Sequence, residues 1–220
     1  MRMIMGVFVC LALFRGTSWS APKVHLVAFG KWSSIRVTEE KEEPKTIDLK
    51  ARALLVDGRM KEFTAGAPHD VTDRTFTVQR VYRLNDSLPQ DSGAVHWLWQ
   101  RGGWLLVDRV TGKVQPIVLP EYDPSISTVN WFRDYAAYCG TSDDEQKKFA
   151  VVAQLGHRKP LLKKALADTN DGEDLSCSTP VWQRDPIRVI FEHKSEAKFT
   201  YTVRSRTVDF LSNDAEDGEQ

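Results

Sequence analysis

The chain has 220 residues, of which 41% are hydrophobic, 10% aromatic and 27% charged. This is the composition of one ordinary folded domain and excludes a disordered or collagen-like chain, with little room for a TIM barrel or two domains. Lys plus Arg and Asp plus Glu stand at 30 each, so no positive excess marks a nucleic-acid backbone or an anionic membrane surface as partner.

The first element in chain order is a leader. Arg2 precedes an apolar run from Ile4 to Phe14, followed by the small residues Gly16, Thr17, Ser18, Ser20 and Ala21, which is the layout of a cleavable secretory signal over residues 1–21. Arg15 ends the run well short of the roughly 20 apolar residues a membrane-spanning helix needs. An exported protein, periplasmic or extracellular and without a stable membrane span after cleavage, is the expectation. Cys10 lies inside the apolar run behind Val7-Phe8-Val9, which lacks the small residues of a lipoprotein processing site. Removing Arg2 and Arg15 lowers the 30 bases to 28 against 30 acids, a formal charge of −2. Two cysteines then remain, Cys139 and Cys177, and in an oxidising compartment their even number suggests a disulfide. Two separate thiols packed as small apolar residues are the alternative.

Residues 22–211 read as a single all-β domain. Short β-branched or alternating runs occur at Val24–Phe29, Ser34–Val37, Ala53–Val56 and Thr75–Tyr82, the period expected of strands. Turn signals separate them at Asp57-Gly58, Ala67-Pro68-His69-Asp70 and Asn85-Asp86-Ser87-Leu88-Pro89, and Glu39 to Pro44 reads as a charged exposed loop. Pro160 to Ala167 is the one helix candidate, about two turns long, although a buried strand followed by a loop would read similarly. Residues 212–220 form an acidic tail.

An internal repeat is the most informative feature. Trp99-Gln100-Arg101-Gly102, Trp131-Phe132-Arg133-Asp134 and Trp182-Gln183-Arg184-Asp185 align without gaps, each followed by a strand. A unit of roughly 35–45 residues made of short antiparallel strands has the size of a propeller blade. The segment Thr179 to Phe191 resembles the WD-like β-propeller repeat of the periplasmic Tol-system propeller family, whose units read Pro-x-Trp-Ser-Pro-Asp-Gly and then a strand. The second copy continues similarly through Phe149-Ala150-Val151-Val152-Ala153 and Gly156-His157-Arg158-Lys159-Pro160-Leu161. The likeness covers about Val95 to Leu211, with Gln-Arg or Phe-Arg in place of Ser-Pro and Tyr135 or Pro186 in place of Gly. It implies β-propeller-like antiparallel repeats in a small or incomplete ring, and a module that binds another envelope or extracellular protein. The repeated Trp would pack between neighbouring units, with Arg or Asp tying the following turn. An aromatic ligand platform is the other reading of these indoles.

Familiar catalytic patterns are missing from the sequence: there is no Gly-x-Ser-x-Gly, His-Glu-x-x-His or Cys-x-x-Cys. No cofactor is implied, and a non-catalytic role is favoured over a secreted hydrolase or lyase with a loop-built site. His69-Asp70 with Asp73 would give one loop an imidazole and carboxylates, or simply form a turn. Asp168 to Asp174 has an acidic composition without the ligand spacing of a calcium loop. His157-Arg158-Lys159 with Lys163-Lys164 is a basic cluster, read either as a contact for an anionic partner or as a solvated face.

Overall fold

The computed structural model describes residues 24–39, 45–91, 93, 95–142, 147–168, 178–192 and 198–203. The expected leader, Cys177, most of the Asp168–Asp174 segment and the acidic tail lie outside the described residues. The protein is all-β, built from several antiparallel sheets.

The first sheet contains β1 (Val27–Phe29), β2 (Ser33–Glu39), β3 (Lys45–Val56), β4 (Arg59–Asp70), β5 (Thr75–Asn85), β6 (Trp97–Asp108) and β7 (Val114–Ile117). Successive hairpins join β2 through β6, and one parallel bridge, Val37 with Trp99, brings β6 back beside β2. The pairings therefore return to their starting strand. Asp57 and Gly58, at φ +53° and +73°, form the two-residue connection between β3 and β4, where positive φ at both positions matches the twist of the flanking strands. Alternate residues of a strand face opposite ways. Thus β3 gives Leu49 and Ala51 to a core with Ile35, Val37, Ala65 and Val81, and Leu54 to another with Phe76, Val78, Leu105 and Val107.

One segment that reads as a turn is strand instead. Ala67 to Asp70 belongs to β4, whose register shifts between Ala65 and His69. Gly66 takes φ +72° there, so a bulge absorbs the proline without ending the ladder. Gly102 and Gly103 likewise lie inside the continuous β6. A Cβ on Gly102 would sit 3.1 Å from the Tyr82 ring and 3.2 Å from the Arg80 carbonyl oxygen; glycine there permits close passage of two strands.

The second sheet is a meander of β8 (Asn130–Phe132), β9 (Tyr135–Thr141), β10 (Lys147–Gln154) and β11 (Leu162–Asp168). The helix candidate Pro160–Ala167 is thus corrected to strand: Leu162 and Leu166 face one core, a spacing of four that fits a helix or a strand, and antiparallel pairing with β10 decides for the strand. A third sheet follows, β12 (Val181–Gln183), β13 (Arg188–Glu192) and β14 (Lys198–Thr202). The unbroken apolar run of β10 has its explanation in burial on both sides. Val151 and Ala153 join Trp131 and Tyr138 against Trp104 and Ile117 of the first sheet, while Ala150 and Val152 pack with Val189 and Phe191 of the third. Strands buried on both faces lose polar alternation.

Candidate functional site

The three aligned tryptophans occupy two kinds of position. Trp131 is the middle residue of β8, paired with Ala136, and Trp182 the middle residue of β12, paired with Val189. Each indole leans on the preceding sheet. Trp131 packs edge-on to Trp104 at 5.4 Å and stacks on His69 at 6.0 Å; Trp182 stacks on Phe132 at 5.5 Å and donates its Nε1–H to the Asn130 carbonyl at 2.9 Å. Trp99 instead stands within the first sheet, edge-on to Phe63 at 5.2 Å. Its Gly102-Gly103 does not turn the chain, so the copies match in letters but differ in geometry.

The polar members of the pattern also divide. Arg133 takes φ +54°, so the left-handed residue of that turn is an arginine and not the following Tyr135. Asp134 accepts from Gln154 Nε2 at 2.8 Å and thereby ties the turn to the end of β10. Arg184 and Asp185 are exposed in the turn before β13. Arg101 lines a cleft described below. His69 donates to, or is held by, no carboxylate of its own loop; its Nε2 lies 2.8 Å from the Arg133 carbonyl oxygen, and Asp70 pairs with Arg109 at 2.6 Å. These contacts dock two sheets. In the basic cluster, Lys163 pairs with Glu121 at 2.6 Å and Lys164 lies over Phe199 at 3.9 Å, leaving His157, Arg158 and Lys159 exposed in a turn.

The most site-like feature lies elsewhere, around Trp32. The polar loop Gly30-Lys31-Trp32 between β1 and β2 projects an indole that is 46% exposed. Arg52 of β3 crosses beneath it. The guanidinium carbon is 4.2 Å from the centre of Trp32 and 3.8 Å from that of Phe29, so the cation is in contact with two π systems. Burial lowers the Arg52 pKa from its ordinary value, although arginine stays charged at any working pH. Its Nε–H is buried without a hydrogen-bond acceptor.

Two clefts adjoin the Gly30–Ser33 loop. The larger, about 540 Å³, lies between the first sheet and the segment Ser127–Val129 leading into β8, with Trp32, Lys50, Gln79, Arg101 and Trp104 in its wall. The smaller, about 290 Å³, has Lys31, Ser33, Arg52, Phe63 and Trp99 in its wall. Among the described residues no carboxylate lines either one. The sequence reading missed Trp32 and Arg52, although a large aromatic isolated in Gly-Lys-Trp-Ser-Ser is a visible signal.

The floor of the larger cleft is fixed by a buried phenol. Trp104 Nε1 and Gln79 Nε2 donate to Tyr122 Oη at 3.2 and 3.4 Å. Burial pushes the Tyr122 pKa up to about 12. Tyr138, donating to the Pro120 carbonyl, is raised further by the same cause. Unfolded tyrosine ionises near pH 10 (about 10), so the folded state holds these protons more tightly. Their contribution is intact below about pH 10 and is lost as pH rises toward the folded values. Alkaline titration is therefore expected to ionise Tyr122 and Tyr138 only together with loss of near-ultraviolet dichroism. Reversible ionisation of all five tyrosines with native dichroism retained would overturn this.

Compared with family models, curated proteins and solved structures, the chain matches none of them.

Proposed function

We propose that the protein is an exported, non-catalytic module that binds another envelope or extracellular protein. Its antiparallel units are read as propeller-like, in a small or incomplete ring. Two features support that finer architecture: β8 and β12, the first strands of consecutive meanders, are joined by Trp182 Nε1 to Asn130 O and by Asn130 Nδ2 to Pro180 O at 2.8 Å, and their sheets stack through a shared core. Neighbouring blades are related in this way.

The observation that carries the binding role is the pair of clefts beside the Gly30–Ser33 loop, walled by indoles and cations. Aromatic residues and arginine are the groups that dominate protein interfaces. A hydrolase or lyase would instead need a proton-transferring pair or nucleophile converging on a cleft, and the described lining residues include no carboxylate or histidine to form such a pair.

In the organism of origin, a photo-crosslinking amino acid at Trp32 is expected to give one discrete protein adduct, identifiable by mass spectrometry. The same group at Val181, exposed on the third sheet, should give none. Equal adducts from the two positions, or none from Trp32, would remove this reading.

A further inference from the structure

We propose that the clefts beside the Gly30–Ser33 loop receive an acidic, extended segment of the partner protein, its carboxylates meeting Arg52 and Lys31 on one side and Lys50 on the other. The proposal rests on the protein-binding reading above and names the chemistry of the partner.

Arg52 differs from Arg109 and Arg80 of the same chain. Arg109 stacks on Phe76 at 4.6 Å and meets Asp70 at 2.6 Å; Arg80 lies over Tyr82 at 5.4 Å and meets Glu62 at 2.9 Å. In both, an aromatic ring covers one face and a carboxylate takes the edge. Arg52 instead lies against two aromatic rings, meets no carboxylate among the described residues, and its buried Nε–H has no acceptor. An arginine edge is shaped for a planar carboxylate. Arg52 thus lacks the carboxylate that Arg80 and Arg109 have, and a carboxylate brought to its guanidinium would supply it. Lys31 and Lys50 form no ion pair with any described residue, and no described acid lines either cleft to compete.

The walls favour a peptide. Ile35, Ala51 and Phe63 on one side, and Leu49, Ala65 and Val129 on the other, offer apolar contact for side chains between the carboxylates. A saccharide would call on planar polar side chains to accept its hydroxyl protons, and among the described residues the walls offer one side-chain amide, Gln79, and no carboxylate.

The test uses the full mature protein and a short fluorescein-labelled peptide of alternating glutamate and phenylalanine, beside its glutamine counterpart, with anisotropy as readout. The glutamate peptide is expected to bind at least about tenfold more tightly. Lys31→Gln and Lys50→Gln should each weaken it several-fold and Arg52→Met by about tenfold, without rescue by Arg52→Lys, which cannot present the planar edge. Should Arg52→Met fail to fold, the two exposed lysine variants carry the test. Arg158→Gln with Lys159→Gln, in the exposed turn, should change nothing. Equal binding of the two peptides, equal loss from the Arg158 and Lys159 changes, or equal competition by oligogalacturonate or inorganic phosphate would overturn the proposal. If the crosslink at Trp32 persists while the glutamate peptide shows no preference, only the acidic-segment proposal fails. If both fail, the binding reading falls with it.

Discussion

Replacing Trp131 with alanine is expected to lower the free energy of unfolding by about 3–5 kcal/mol, the range for deleting a large aromatic from a core that cannot fully collapse. The indole is 8% exposed and sits in the second sheet, yet it touches two elements of the first, Trp104 at 5.4 Å and His69 at 6.0 Å. Its loss would open a cavity at the seam between sheets, where Ile117, Leu119 and Tyr122 also converge. Trp131 Nε1 is buried without a partner, so Trp131→Phe removes an unsatisfied donor while keeping most of the ring. The phenylalanine variant should therefore lose much less, about 1–2 kcal/mol. Trp182→Ala should cost less than Trp131→Ala because its indole is only half-buried, although it makes a real bond to Asn130. Urea unfolding of the three variants checks the ranking, and a loss below about 1 kcal/mol for Trp131→Ala would show that the sheets are held by other contacts.

Local chemistry was legible where one short segment decides the outcome. Asp57-Gly58 read as a turn because positive φ at two successive positions selects those residues, and the strand period was clear at Thr75–Tyr82, within β5. The sequence was less informative where the partner strand decides. Ala67-Pro68 and Gly102-Gly103 have turn composition, but paired strands on either side carry the chain through as bulges. The single bridge from Val37 to Trp99 links distant parts of the chain through one pair, which no local period announces. The site was hidden for the same reason: Phe29, Trp32 and Arg52 converge only because β3 pairs with both β1 and β2. Trp131 and Trp182 were matched by their letters and stand at like positions, whereas Trp99 shares the letters without the turn that gives them meaning.

A disulfide between Cys139 and Cys177 is expected in the exported protein, and removing it should cost about 3–4 kcal/mol if its effect is mainly to restrict the unfolded chain. Cys139 lies on β9, opposite Ala150, at the edge of the core shared by the second and third sheets. Its sulfur is 3.8 Å from the carbonyl oxygen of Ser178, the residue immediately after Cys177 in sequence. Cys177 lies outside the described residues, so the support comes from its neighbour: the backbone of Ser178 is already against Cys139, and Ser178 N donates to the Glu192 carbonyl at 3.2 Å. A bridge here would close a loop over β10 and β11 and pin the third sheet's approach to the second. Thiol labelling of the denatured, unreduced mature protein should modify neither cysteine, and Cys139→Ser should lower stability by nearly the same amount as Cys177→Ser and the double change, since each breaks one shared bond. Two labelled cysteines in the unreduced protein, or additive losses from the single changes, would mean that the sulfurs act as separate packed thiols.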